Sequence, residues 1–189
     1  MIQKRKAGAF RRLPNGAAGS FCKASGRNMC MIVPVTGENL REAAEVYAHG
    51  WRASHEAFCT QEFLSQHTDL YQMQYLEEEL QKGKRFFLLH MPEPVGIVSV
   101  HGPMLEHLYV LPQAQGHGFG TQLLRFALAQ GAYMLWVLDN NRRAIAWYES
   151  WGFAFTGRAN WLSPTLRELE MARRGRHAVL GADGKGKNV

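Results

Sequence analysis

Residues 105–124 read LEHLYVLPQAQGHGFGTQLL, and this stretch joins three local patterns in one short segment. An apolar run typical of a strand ends at Pro112, and a loop with glycines at positions 116, 118 and 120 follows. From Thr121 onward the apolar residues recur at helical spacing. Successive glycines let several main-chain N–H groups point at one anion, and a helix N-terminus adds unpaired donors. The segment therefore predicts a phosphate-binding loop between a strand and a helix.

We compared this loop with two known types of phosphate-binding glycine loop and with a plain turn. A nucleotide triphosphatase loop ends in Gly-Lys-Ser/Thr, whereas this loop ends in Phe-Gly-Thr without a lysine, which excludes that type. A dinucleotide fold places Gly-x-Gly-x-x-Gly directly after a strand. The spacing here is different, but Asp139 at the end of the next strand keeps this alternative open. A plain turn without a ligand is the other alternative.

A second motif follows after one further strand, where residues 141–153 read NRRAIAWYESWGF. This motif resembles the Asn-x-x-Ala-x-x-Phe-Tyr-x-x-x-Gly-Phe element of the GNAT superfamily of acetyl-CoA-dependent N-acetyltransferases, with Trp147 in place of the usual Phe. Residues 115–120, QGHGFG, resemble the Gln/Arg-x-x-Gly-x-Gly/Ala loop of the same superfamily. The resemblance covers roughly residues 31–172 and identifies the chain as a small, bacterial-type, single-domain member.

The resemblance implies an α/β (α+β) fold with a central mixed, largely antiparallel twisted sheet and helices on both faces. The strands at 105–111 and 133–138 are expected to be parallel and to splay apart. The residue patterns agree, because strands precede, alternate with and follow helices. Strand patterns lie at 31–35, 85–90, 95–101, 105–111, 133–138, 153–157 and 166–172. Helical patterns lie at 36–49, with Thr36 as cap, and at 58–66, 70–81, 121–129 and 142–150.

Acetyl-CoA is the cosubstrate that the resemblance implies, with its pantetheine arm between the two splayed strands. Main-chain groups of Leu108, Tyr109 and Val110 are then expected to contact the arm, and the Val110 N–H to polarise the acetyl carbonyl. Asn141 is a further expected contact, although an Asn there also caps a helix well. The expected pyrophosphate contacts are Gln115, Gly116, His117, Gly118, Phe119, Gly120 and Thr121.

Acyl transfer to an amine needs one group that takes a proton from the ammonium and another that protonates the departing thiolate. Tyr148 matches the superfamily's usual proton donor, and it is expected to contact the cofactor; a core tyrosine is the alternative. Many members carry a Glu base where this chain has Met104. Glu106 lies two residues further on and, by alternation, on the same strand face. Glu106 is therefore the candidate base, and an exposed edge charge is the alternative.

Other titratable side chains are weaker candidates. His101 and His107 have ordinary pKa values near neutrality, but alternation along the strand places both on the opposite face. His49, His55 and Cys59 lie in a helical region without metal-ligand spacing, and the implied chemistry needs no metal. No metal site is expected.

The chain has 189 residues and a net charge of +6, which is unevenly distributed. Residues 1–30 hold seven basic side chains and no acidic one, whereas residues 31–170 carry 15 acidic and 10 basic side chains. We therefore expect a disordered basic extension at 1–30, an N-acetyltransferase domain at 31–172 and a flexible basic tail at 173–189. A true translation start at Met29 or Met31 accounts for the extension, and a transit peptide is the alternative.

The expected function is transfer of an acetyl group from acetyl-CoA to a primary amine, directly and through a tetrahedral intermediate. An acidic body is compatible with a small cationic amine as acceptor, and a peptide N-terminus or a lysine side chain are alternatives. A non-catalytic acyl-CoA sensor is the rival hypothesis. Three cysteines without metal-ligand spacing and no long apolar run favour a cytoplasmic protein without a membrane partner. A monomer or homodimer without a specific nucleic-acid partner is expected.

Overall fold

The computed structural model describes the backbone of residues 20–22 and all of residues 30–164 and 166–173, and these form one mixed sheet with helices on both faces. The strands of this part are β1 Ser20–Cys22, β2 Cys30–Pro34, β3 Arg85–Met91, β4 Glu93–His101, β5 Met104–Val110, β6 Met134–Leu138, β7 Phe153–Ser163 and β8 Leu166–Arg173. Their order across the sheet is β1-β2-β3-β4-β5-β6-β8-β7. All neighbours are antiparallel except β5 and β6, which confirms the predicted fold class.

The parallel neighbours β5 and β6 share only a short stretch of pairing. Met104 pairs with Met134 and Leu105 with Leu135, whereas β5 runs on to Val110 without further pairing to β6. On its other side, β6 pairs with β8 along its whole length. The two parallel strands therefore separate toward their carboxyl ends, as predicted.

Helices cover both faces of this sheet. In the described residues they are α1 Leu40–His55, α2 Gln61–Gln66, α3 Asp69–Gln81, α4 Phe119–Ala129 and α5 Arg142–Ser150. Side chains alternate between the two faces of the sheet along β4, so this strand contributes to two cores. Ile97 packs under α1 and α3, while the adjacent Val98 packs under α4. No helix among these five is long and apolar enough to cross a membrane.

The first helix differs from its prediction at both ends. It begins at Leu40 rather than directly after Thr36, because the side-chain oxygen of Asn39 accepts the Thr36 N–H at 2.8 Å and closes a turn after β2. It continues to His55, beyond the predicted end at 49. This extension carries the end of α1 to the region of the sheet where β5 and β6 separate.

Strand β1 lies within the extension for which the sequence predicts no regular structure. Its backbone pairs with β2, which would otherwise leave a row of unpaired N–H and C=O groups at the sheet edge. Residues 1–19, 23–29 and 174–189, which make up the rest of the predicted extension and nearly all of the predicted tail, lie outside the described residues. The predicted domain limits therefore stay a prediction.

Gly50 marks a close approach between α1 and β5. A Cβ at this position would lie 2.6 Å from the Cβ of Tyr109, well inside van der Waals contact. We expect Gly50→Ala to lower the free energy of unfolding by about 1–3 kcal/mol, since α1 must move off the sheet. Gly37→Ala is the matched control, because a Cβ there meets no atom within 4 Å. Urea unfolding of both variants measures the difference, and equal stability would contradict the close approach.

Candidate active site

The separation of β5 and β6 opens a cleft of about 720 Å³, within the range of ligand-binding pockets. Its walls come from β5, the glycine loop with the start of α4, the helix α5 and the end of α1. The structure brings ten of the twelve predicted cofactor-binding residues to this cleft: Leu108, Val110, Gln115, Gly116, Gly118, Phe119, Gly120, Thr121, Asn141 and Tyr148. Tyr109 and His117 are not among the lining residues.

The glycine loop presents main-chain donors to the cleft. Gly116 and Gly118 have φ values of 80° and 81°, in the left-handed region that residues with a Cβ rarely adopt. Gly118 precedes the first turn of α4, whose first internal hydrogen bond runs from the Gln122 N–H to the Gly118 carbonyl at 3.1 Å. The N–H groups of the first three residues of α4 therefore have no partner within the helix. Together with the helix dipole, they favour a bound anion.

The two polar side chains of the loop hold its shape. The Gln115 side-chain amide donates to the Val110 carbonyl at 3.2 Å. The Nδ1 atom of His117 lies 2.9 Å from the Gln115 carbonyl. The side chain of Gln115 is thus engaged with the end of β5 and that of His117 with the loop, and their direct contact with a ligand stays a prediction.

The Val110 N–H faces the gap between the parallel strands. Leu111 donates its N–H to the Val95 carbonyl at 2.9 Å, toward β4. Because successive residues of a strand direct their N–H groups to opposite sides, the Val110 N–H points toward β6. There β6 is no longer paired with β5. A carbonyl oxygen in the gap can therefore accept a hydrogen bond from Val110.

Helix α5 supplies the opposite wall of the cleft. The side-chain oxygen of Asn141 accepts the Ala144 N–H at 3.1 Å, so the capping alternative for Asn141 is observed, and its contact with a cofactor stays a prediction. Arg143 also lines the cleft as an exposed cation, which suits an anionic ligand. Arg143 was not among the predicted site residues, although it lies within the second motif.

Tyr148 lies on α5, with its ring edge-on to Phe153 at 5.6 Å between ring centroids. Burial raises the pKa of its phenol, so the hydroxyl is protonated at neutral pH. A protonated hydroxyl at the cleft is chemically able to donate a proton to an anion that forms there.

The predicted base, Glu106, lies at an irregularity in β5. Leu105 pairs with Val100 and His107 with Ser99, which leaves Glu106 as an extra residue between two pairs. Such an extra residue breaks the strict alternation of side chains along a strand. The Glu106 carboxylate forms an ion pair with Lys84, and it is not among the residues that line the cleft. Its role as base stays a prediction.

Lys84 lies between two carboxylates although it is only 8% exposed. Its ammonium contacts Glu106 and also Glu79, the latter at 2.7 Å. Burial opposes the charge of Lys84, but the hydrogen bonds that its ammonium donates to Glu106 and Glu79 outweigh burial and raise its pKa. Hydrogen bonds from Lys82 and Lys84 lower the pKa of Glu79 to about 2. Lys84 and Glu79 are therefore both charged at neutral pH.

His107 reaches the same cluster as Glu106, so the prediction that the two lie on opposite faces is wrong. The Tyr75 hydroxyl is 3.4 Å from the Lys84 ammonium, and the Tyr75 ring is 6.1 Å from the His107 ring. The cause is the extra residue at position 106. His101, also predicted on the far face, has its Nδ1 3.8 Å from a Glu106 oxygen.

Other residues that the sequence singled out are engaged elsewhere. Asp139, which kept the dinucleotide alternative open, pairs with Arg167 at 3.0 Å. His49 lies 3.8 Å from Asp69, and His55 stacks on the Trp51 ring. In residues 30–164 and 166–173, no group of three or more His, Cys, Asp or Glu side chains is arranged to hold a metal ion.

Helix α1 also contributes to the cleft, which the sequence did not predict. Ala53, Ser54, Ala57 and Phe58, at the end of α1 and in the turn after it, form part of the lining. The contribution was not predicted because the helix was expected to end at residue 49, whereas it continues to His55. The helical spacing of Trp51, Ser54 and Phe58 is the signal that could have extended the helix toward them.

Comparison with known proteins supports the two motifs. Residues 82–154 match the family model described as an acetyltransferase (GNAT) domain. The peptidyl-lysine N-acetyltransferase YjaB of Escherichia coli is 28% identical over 139 residues, which cover 68% of this chain and 87% of that protein. YjaB of Salmonella typhimurium is 32% identical over 68 residues, but this match spans only 35% of this chain and 47% of that protein's length.

Solved structures share the fold over most of the chain. PaiA N-acetyltransferase from Thermoplasma acidophilum, in complex with coenzyme A, superposes with a TM-score of 0.59 at 18% identity and covers 75% of this chain and 97% of its own. The solution structure of apo YjaB from Escherichia coli gives a TM-score of 0.55 at 21% identity, with 77% and 98% covered. At these identities the likeness concerns the fold.

The environment of His107 predicts a pH dependence of stability. Burial, followed by the nearby Lys84 charge, lowers the pKa of His107 to about 3. The unfolded chain binds a proton at His107 near pH 6.5, so protonation favours unfolding as the pH falls from about 6.5 toward 3. We expect this residue to lower the free energy of unfolding by up to about 1.4 kcal/mol per pH unit in that window.

Urea unfolding at several pH values, for the wild type and for His107→Gln, measures this contribution. Gln keeps a hydrogen-bonding group near the Ser99 hydroxyl, which lies 2.8 Å from the His107 Nδ1, but it does not titrate. The variant should show a shallower fall in stability below about pH 6.5. Identical slopes for the two proteins would show that His107 is protonated normally in the folded state.

Proposed function

Because this chain belongs to the GNAT superfamily of acetyltransferases, we propose that it transfers the acetyl group of acetyl-CoA to a primary amine. The observation that carries the proposal is one cleft with three matched features: main-chain donors at the start of α4, the Val110 N–H in the gap between β5 and β6, and the Tyr148 hydroxyl on α5. These are the groups that a phosphate, a thioester carbonyl and a leaving thiolate respectively need.

The residues of the cleft fit the coenzyme chemically. The N–H groups of Phe119, Gly120 and Thr121 suit a pyrophosphate, because they combine unpaired donors with the positive end of the α4 dipole. Arg143 adds a full positive charge to the same cleft. Leu108 and Val110 offer apolar surface and main-chain groups to the pantetheine arm. The known complex of PaiA with coenzyme A, a protein of the same fold, supports this assignment.

In the proposed reaction two protons are transferred, one on each side of β5. The Val110 N–H polarises the acetyl carbonyl and stabilises the negative charge that develops as the amine attacks. Tyr148 then protonates the departing thiolate from its neutral phenol. Glu106 takes the first proton from the acceptor ammonium. The tetrahedral intermediate thus forms and collapses without a covalent bond to the protein.

The acceptor that we propose is a cationic primary amine, with a lysine side chain of a peptide as the leading form. The two curated relatives carry the name peptidyl-lysine N-acetyltransferase, and residues 31–170 carry an excess of acidic side chains that attracts cations. A small cationic amine and a peptide N-terminus are the other acceptors to be tested.

A non-catalytic acyl-CoA sensor is the second candidate, and one observation favours it. Glu106, the candidate base, forms an ion pair with Lys84. Its carboxylate is therefore already engaged and less available to take a proton from an amine. A sensor of this kind would bind coenzyme A in the cleft without releasing thiol in the presence of any amine.

Coenzyme A binding tests the assignment of the loop. We expect Gly118→Ala to weaken coenzyme A binding by about tenfold or more, because the left-handed conformation costs about 1–2 kcal/mol for a residue with a Cβ and the loop must change shape. Gly131→Ala is the matched control, since Gly131 has φ 95° and equally open surroundings but does not line the cleft.

Isothermal titration calorimetry of the full chain with coenzyme A measures both variants. Gly131→Ala should lose stability to a similar extent while keeping the wild-type affinity. Equal affinity losses in the two variants would show that the loop does not bind the coenzyme specifically.

Thiol release tests the reaction and the role of Tyr148. With acetyl-CoA and a panel of lysine peptides, small cationic amines and peptide N-termini, the wild type should release thiol only with a suitable amine. Tyr148→Phe removes the proton donor and should lower kcat by about a hundredfold, with little effect on coenzyme A binding. Wild-type rates in this variant would mean that another group protonates the thiolate. Coenzyme A binding without thiol release for any amine would favour the sensor.

A further inference from the structure

Three aromatic rings stack where α1 ends. The Trp51 ring stacks on the ring of His55, one turn further along α1, and on the ring of His67, which directly follows α2. The ring centroids are 4.2 Å and 3.5 Å apart, and the interplanar angles of 13° and 21° leave all three rings close to parallel. We call these three residues the ring stack. It joins the last turns of α1 to the turn between α2 and α3.

His67 is fixed from two sides. Its main-chain carbonyl accepts a hydrogen bond from the Arg52 guanidinium at 2.8 Å. Its Nδ1 atom lies 2.9 Å from the side-chain nitrogen of Gln72, a residue of α3 that is only 2% exposed. Because Gln72 is buried in the packing of α3, this contact ties the ring stack to the interior of the protein.

The other end of the ring stack reaches the wall of the cleft. The Ser54 hydroxyl donates to the Trp51 carbonyl at 2.8 Å, and the His55 Nδ1 lies 2.9 Å from the same carbonyl. Ser54 and its neighbour Ala53 line the cleft. The ring stack and the part of α1 that faces the cleft therefore belong to the same turn of helix.

The rings of the stack are uncharged at neutral pH. Burial lowers the pKa of His55 and also that of His67, so neither imidazole carries a proton beyond its neutral form. Two neutral imidazoles can share one indole without repelling each other, whereas two imidazolium ions this close would repel. The stack is thus suited to hold two elements together.

We propose that His67 is a positioning residue for the cleft, because it holds the cleft-facing turn of α1 in place through the ring stack. This inference rests on the proposed function, since the ligands concerned are acetyl-CoA and the acceptor amine. His67 is not among the residues that line the cleft, so it acts on a ligand only through Trp51 and α1.

The proposed role separates affinity from chemistry. Without the stack, the last turn of α1 occupies its binding position for only part of the time, and apparent affinity falls by that fraction. The Val110 N–H and the Tyr148 hydroxyl lie on β5 and α5, outside the part of the cleft that α1 supplies. Loss of the stack should therefore raise KM and leave kcat nearly unchanged.

Two substitutions at His67 separate its ring from its hydrogen bond. His67→Phe keeps a flat ring for Trp51 but has no nitrogen for Gln72, whereas His67→Gln keeps a polar group for Gln72 but has no ring. We expect His67→Gln to raise the KM for acetyl-CoA, for the acceptor or for both by about fivefold to tenfold, with kcat within about twofold of wild type. His67→Phe should keep both constants within about twofold of wild type.

Trp51→Leu breaks the same stack from α1 and should raise the same KM. The double variant Trp51→Leu with His67→Gln should be no worse than the weaker single variant, because the two residues act through one contact. His49→Gln is the control on the same helix. The His49 side chain is 57% exposed and lies outside the ring stack, so its substitution should change neither constant.

Steady-state thiol release by the full-length variants measures both constants, and urea unfolding establishes that each variant is folded. Trp51→Leu provides the second break should His67→Gln fail to fold. A wild-type KM in His67→Gln, a rise in KM that is equal in His67→Phe, or losses that multiply in the double variant would overturn the positioning role alone. Absence of both coenzyme A binding and thiol release in the wild type would instead overturn the proposed function.

Discussion

The short pairing of β5 with β6 is the constraint on which the rest of the site depends. The strands pair at two positions and then diverge, since β6 continues along β8 while β5 continues along β4. Main-chain groups of β5 that face the gap are left without a strand partner, and such groups need water or a ligand. The same divergence brings the glycine loop after β5 and the helix α5 after β6 to opposite walls of one cleft.

The charges and partial charges on the two sides of β5 come from different groups. On the cleft side, positive potential comes from main-chain N–H groups and the α4 dipole, with Arg143 as a charged side chain at the wall. On the other side, the charges are side chains in a half-buried cluster, with Lys84 between Glu79 and Glu106. The phenol rings of Tyr47, Tyr75 and Tyr109 pack beside this cluster.

Local patterns predicted most of the elements but not every side-chain direction. The glycine loop, the capping by Asn141 and the strands from Arg85 to Val110 follow from residues that are neighbours in the chain. The direction of Glu106 does not, because the extra residue in β5 has no signature in its own sequence and depends on the register with β4. The end of α1 was similarly misplaced, since its last turn carries no glycine or proline that would mark the true boundary.

The sequence by itself determined the conformation of the glycine loop and the two family motifs, because these residues act through local backbone geometry. Gly116 and Gly118 adopt left-handed conformations, which cost little free energy for glycine because it has no Cβ. Only the tertiary structure decided which side chains meet around β5. Tyr75, Tyr47 and Tyr109 lie on three separate elements, and the register of one strand sets where Glu106 lies. Contacts of this kind depend on how distant elements pack, which periodicity along one element does not encode.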